Sequence, residues 1–207
     1  MSPATAAGCL ASSRRTSSSA GWTTTELIVV MAITAAMAGI TAPAIANVKD
    51  ASRVRHAAGF VASRFRDARQ QAVAKERSVA VVFDQTGDGW TFRICADGNG
   101  NGVRRAEIDS AVDACPEGPF IFSALFPGVS IASDASIPGP EGSPSSTDPV
   151  RFGNSDIASF SPVGSCTAGS LYLQSAQGTQ YAIRVSGVMG RTRVLRYDPA
   201  SGSWKAA

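Results

Sequence analysis

The chain of 207 residues suits one anchored domain or one domain with a tail, and its net charge of +3 is too mild for a global electrostatic case for nucleic acid. Gly, Ser and Thr surround short apolar runs, which is the composition of a modest β-rich domain and not of a helical bundle. A single histidine, His56, and four cysteines, Cys9, Cys95, Cys115 and Cys166, with no CxxC pair, leave too few ligands for a zinc site.

From the N-terminus, Arg14 and Arg15 lead into "TSSSAG", and the chain then carries no charge from Leu27 to Val48. About 20 apolar residues cross a hydrocarbon core, so this run is long enough to span. A secretory signal places its small-residue cleavage site after the apolar stretch; here Gly21 precedes it. Glu26 sits at the lip of the run, where an acid is expensive in lipid, about 2.5–3.5 kcal/mol at mid-helix and less near the interface, and so calls for a partner.

Gly21, the aromatic Trp22, Glu26 followed by Leu27, and Pro43 together resemble the leader of a type IV prepilin or pseudopilin. The resemblance implies that a membrane peptidase, the prepilin peptidase, cuts after Gly21 and methylates the new amine of Trp22. It also implies that Glu26, fifth in the mature chain, meets the N-terminal amine of a neighbouring subunit. A buried acid paired with a cation from the next protomer sets register on physical grounds alone, because the unpaired acid is penalised. The other reading is an ordinary signal anchor. "WTTTEL" is more polar than the family's usual "FTLIEL", and Cys9 leaves with the leader. The expected organisation is a leader over 1–21, a transmembrane and assembly helix over 22–48, an amphipathic continuation over 49–77 and a β-rich head over 78–207.

Past the apolar run, Val54, Ala58, Val61, Phe65, Ala68 and Ala72 recur at steps of four and three, which places them on one helical stripe. One helix is expected from about Thr23 to Arg77, bent or locally melted near Pro43, its second half packed on the head. The period then changes. "SVAVVFD", "GWTFRICAD", "PFIFSAL", "GSLYLQSA", "TQYAIRVSG" and "RTRVLRYD" read as strands, with hairpin signals at "QTGDG" and "SGVMG". "IPGPEGSPSSTDP" reads as a loop or flexible excursion.

A helix followed only by strands, with "FSPVGSCTAGSLYLQS" from Phe160 and "YAIRVSGVMGRTRVLRYD" from Tyr181, resembles the GspH/FimT family of pseudopilins and minor pilins. That family implies a pilin-like α+β fold, a long helix with a membrane-spanning first half packed on a C-terminal antiparallel head. It further implies an inner-membrane protein with a periplasmic head, other pilins and an assembly platform as partners, and no enzymatic turnover. The resemblance covers the leader, the helix and the last strands; no motif covers Cys95 to Asn154.

No histidine-based triad, nucleotide loop or dinucleotide fingerprint is present. In "CADGNGNGVRRAEID", Asp97, Asn99 and Asn101 alternate as oxygen ligands before Gly102, as a calcium loop begins, yet the twelfth position is Ile108. A plain Asx/Gly turn is the other reading. Cys95 and Cys115 bracket this loop, and outside the cytoplasm a bridge between them would fasten it; pairings with Cys166 stay open. At the C-terminus Arg184, Arg191, Arg193, Arg196 and Lys205 face one acid in sequence, Asp198. Arg191 and Arg193 share a strand face, with Tyr197 or Trp204 nearby, and guanidinium forks suit phosphate. The family resemblance implies DNA contact through Arg191, Arg193 and Arg196. The alternative is a solvated edge strand.

Overall fold

The computed structural model describes residues 21–207, and of residues 40–47 the backbone alone. The expectations placed on Cys9, Arg14 and Arg15 lie outside the described residues, as does the side chain of Pro43. The chain divides into two compact units, one ending at Pro43 and one running from Ala44 to Ala207. Helix α1, Thr24–Ala74, supplies residues to both, and its helical assignment continues through Pro43. Among the described residues no helix is long and apolar enough to cross a membrane. Residues 40–47 of the apolar run fall outside that statement.

In the second unit a helix packs on antiparallel sheets, an α+β arrangement. The stripe of α1 is buried, and Ala57 and Ala62 join it. Small residues on this stripe let the sheets approach closely, and Phe65 fills the remaining space. The first sheet contains β1 (Val79–Thr86), β2 (Gly89–Ala96), β3 (Ala114–Ile121) and β6 (Ile157–Phe160), in the order β3-β2-β1-β6. The second contains β4 (Val129–Ile131), β5 (Val150–Arg151), β7 (Gly169–Ser175), β8 (Gln180–Ser186), β9 (Arg191–Asp198) and β10 (Ser203–Ala206), ordered β10-β9-β8-β7-β4 with β5 also on β7. Phe65 meets rings that are well separated in sequence: Phe83 at 6.2 Å, Phe152 at 5.6 Å and Phe160 at 6.1 Å between centroids.

The β1–β2 hairpin pairs Val79 with Ala96 through to Thr86 with Gly89, turning at the "QTGDG" signal. The β8–β9 hairpin turns at "SGVMG". Where β5 crosses the start of β7 only glycine fits, because a Cβ at Gly169 would lie 2.2 Å from the Arg151 carbonyl oxygen.

One sequence expectation is corrected here. "PFIFSAL" is not one strand: β3 starts earlier, at Ala114, and Phe122–Leu125 turns into the short helix α3, which buries Phe122. The segment "IPGPEGSPSSTDP" is a loop, as its composition indicates, and it is fastened to the second sheet as a strap. Trp204 Nε1 donates to the Pro138 carbonyl at 2.7 Å. The Arg151 guanidinium donates to the carbonyls of Pro144, Ser146 and Asp148 at 2.9–3.1 Å. Backbone carbonyls that a polar run leaves unpaired are satisfied by a side chain from β10 and by one from β5, which follows directly.

Candidate functional site

Three places in the chain carry chemistry. The first is the start of α1. Thr23 precedes the helix, its hydroxyl accepts the Glu26 amide at 3.3 Å, and its carbonyl accepts the Leu27 amide at 3.1 Å. Thr23-x-x-Glu26 therefore has the spacing of a capping box, a signal present in the sequence that membrane reasoning alone overlooks. An acid in the first turn also complements the positive end of the helix dipole. Gly21 and Trp22 lie just ahead, both exposed. Beyond Glu26, Leu27, Ile28, Val29, Met31, Ile33 and Met37 are each more than half exposed. Consecutive residues turn about 100° around a helix, so this apolar surface runs around the whole circumference.

The second is the loop between β2 and β3, closed by a Cys95–Cys115 disulfide across 20 residues of sequence. The short helix α2 (Arg105–Asp109) lies within it. Asp97 turns both carboxylate oxygens onto its own loop: Oδ1 accepts the amides of Asn99 and Gly100 at 3.0 and 2.7 Å, and Oδ2 accepts that of Gly102 at 2.7 Å. Asn99 Oδ1 accepts the Asn101 amide, while Asn101 Nδ2 donates to Glu107. This is the geometry of the Asx/Gly turn. Their oxygens are directed at backbone N–H groups, one of the three presents an NH₂, and among the described residues no cluster of three His, Cys, Asp or Glu side chains could hold a metal.

A second acid, Asp113, was missed in the sequence. Its two oxygens take the Gly98 amide at 3.0 Å and the Arg104 amide at 2.9 Å. Two buried carboxylates thus satisfy five loop amides. Burial raises the Asp97 carboxyl, but the amides of Gly102, Gly100, Asn99 and Asn101 outweigh it and hold the group below its ordinary value of 3.8. A depressed folded-state pKa contributes stability that is complete above the unfolded value and lost as pH falls through the folded one. Asp97→Asn is therefore expected to destabilise the fold by about 1–3 kcal/mol at neutral pH. It should also flatten the loss of melting temperature below about pH 4. Thermal unfolding of both proteins across that pH range checks each part.

The third is the outer face of the second sheet, the side away from α1. Directly opposed residues in an antiparallel pair share a face. Arg193 pairs with Arg184 and Arg191 with Ser186, which puts Arg184, Arg191 and Arg193 together on that face. Arg196 pairs with Tyr181, whose ring is in the core, so Arg196 projects from the opposite side. There it lines a cavity of about 400 Å³ with Arg55, Tyr181, Asp198 and Lys205. Asp198 is ion-paired to Lys205 and held down to about 2 by that lysine, the Ser201 hydroxyl and the Ala200 amide. The register therefore sets Arg196 on the opposite side of the sheet from Arg191 and Arg193.

The outer arginines are also not free of acid. Glu141, on the strap, places Oε2 3.2 Å from both Nε and NH2 of Arg184 and Oε1 3.9 Å from Arg193. Arg184 additionally donates to the Ser170 hydroxyl at 3.1 Å. Along the same face Trp204 meets Tyr197 at 5.5 Å and Tyr172 at 6.0 Å between ring centroids, and the Arg151 guanidinium lies 4.6 Å over the Tyr172 ring. Glu141 and Arg151 carry no local signal of these roles.

His56 is exposed on α1. Cys166 stands outside the disulfide, half-buried, its thiol donating to the Ser186 carbonyl at 3.1 Å. Burial raises that thiol above its ordinary value, against the opposing pull of Arg69 and the Gly190 amide. No family model, no characterised protein and no solved structure matches the chain.

Proposed function

We propose that the protein is a structural subunit of a filament, a minor pilin or pseudopilin of the GspH/FimT type. In this reading it is held in the bacterial inner membrane by its N-terminal helix with the head in the periplasm, cleaved after Gly21 by the prepilin peptidase, and drawn through an assembly platform into a type IV pilus or a type II secretion pseudopilus. One observation carries the proposal: between Leu27 and Met37, α1 exposes apolar side chains around its full circumference. A helix apolar on every side has to be covered by lipid or by other helices, and a filament subunit meets first one and then the other. The capped N-terminus puts Glu26 at the end of that surface, where a neighbour's amine can approach it.

Glu26→Ala is the test. Membrane insertion depends on the apolar run and should persist, whereas incorporation into filaments is expected to fall at least tenfold when the intersubunit charge pair is lost, a difference of about 1.4 kcal/mol. Quantitative immunoblotting of membrane and sheared-filament fractions separates the two. Equal incorporation of the variant and the parent would remove Glu26 from assembly.

A second reading, a DNA-binding minor pilin acting in DNA uptake, is favoured by the convergence of Arg184, Arg191 and Arg193 on one outer face beside Tyr197 and Trp204. Guanidinium forks bind phosphate oxygens regardless of sequence and release counterions as they do. The filament would then supply delivery and the sheet face the hold.

A further inference from the structure

We propose that the Arg184–Arg193 pair is a phosphate subsite which the protein occupies with its own carboxylate, that of Glu141, so that any incoming phosphate must displace an internal counter-anion. The inference deepens the second reading and rests on taking the outer face as phosphate-binding.

The occupant is placed for displacement. Glu141 is exposed, and ion pairs of exposed side chains are weak because water screens them. Its backbone sits at φ +59°, a region that non-glycine residues rarely adopt. The flanking turn holds it there: the Gly139 amide donates to the Ser143 carbonyl at 2.8 Å, and Pro140 is buried. On either side the strap is anchored independently, by Trp204 on Pro138 and by Arg151 on Pro144, Ser146 and Asp148. Release of Glu141 therefore asks only for its side chain to swing away.

The receiving groups are already shaped. Arg184 is oriented by its bond to Ser170 and presents two N–H groups toward one oxygen of Glu141, while Arg193 addresses the other. A phosphodiester offers a similar pair of oxygens with the same single charge, and Arg191 lies on the same face to meet the next one along a backbone. No other carboxylate is ion-paired to Arg184 or Arg193 among the described residues. A cavity of about 300 Å³ bounded by Glu141, Arg184, Arg191 and Arg193 gives the site room for a phosphate group.

The full chain in detergent, with Glu141→Gln beside the parent, tests this against two probes at low salt: a fluorescein-labelled DNA duplex and inorganic tripolyphosphate. The variant should bind duplex about five- to tenfold more tightly than the parent, with a salt slope steeper by about one. Arg184→Ala added to Glu141→Gln should cancel the gain. Equal duplex binding by the parent and Glu141→Gln overturns the inference and leaves the DNA reading standing. Tripolyphosphate bound more tightly by Glu141→Gln, with no duplex binding by either protein, supports the subsite and overturns DNA as its ligand. If neither protein binds either probe, both ideas fall.

Discussion

Phe65→Ala is expected to destabilise the head by about 3–5 kcal/mol, because truncating a fully buried ring removes its transfer free energy and leaves a cavity that the surroundings fill only in part. The position magnifies the effect. At Phe65, Phe83 from the first sheet, Phe160 from that sheet's edge strand and Phe152 from the connection that leads from β5 back to the first sheet all meet a single ring. The neighbouring stripe residues Ala58, Ala62, Ala68 and Ala72 are too small to close the gap. Domains of this size hold only about 5–15 kcal/mol in all. At about 2–4 °C per kcal/mol the melting temperature should drop by roughly 6–20 °C, measured by circular dichroism on the full chain in detergent. Phe65→Leu, which retains part of the volume, should fall between. A melting temperature that Phe65→Ala leaves unchanged would mean that the sheets hold together without the helix ring.

The second large effect is all-or-none. In the proposed filament subunit, the parent purified from membranes should begin at Trp22 with a methylated amine, and Gly21→Ala should retain its leader and leave filaments without detectable protein. The fold itself has no need of glycine there: a Cβ at Gly21 would meet nothing within 4 Å, so alanine introduces no clash. Any loss of cleavage then reports on the peptidase, whose approach to the backbone a side chain obstructs. N-terminal sequencing and intact mass decide it. A start at another residue, or unchanged processing of the alanine variant, would argue against the pilin reading.

The parts of the fold legible in the sequence are those written in local periodicity. The α1 stripe repeats every three to four residues, and β1, β2, β7, β8 and β9 are runs of seven or eight residues flanked by turn signals. Strands β4, β5, β6 and β10 are only two to four residues long, too short to show a period, and exist because a longer strand offers them its edge. The site divides the same way. That Arg191 and Arg193 share a face follows from their spacing, while the separation of Arg196 is a matter of its position one residue out of phase. Glu141 is 43 residues from Arg184, so its partnership depends on how a proline-rich strap is laid across a sheet, which no local pattern encodes. Asp113 was hidden likewise: its amide partners belong to residues far enough away that only closure of the loop brings them near.

Cys166 bears on how such a chain matures. An odd cysteine in an oxidising compartment threatens the correct bond, since a thiolate attacks a disulfide sulfur and exchanges with it. Here the spare sulfur is half-buried, hydrogen-bonded to a carbonyl, and shifted toward its protonated form. At neutral pH it is a poor nucleophile. With that sulfur half-buried and hydrogen-bonded, scrambling of Cys95–Cys115 is slowed, and in the proposed filament subunit the folded head could await assembly without a catalyst to guard its pairing.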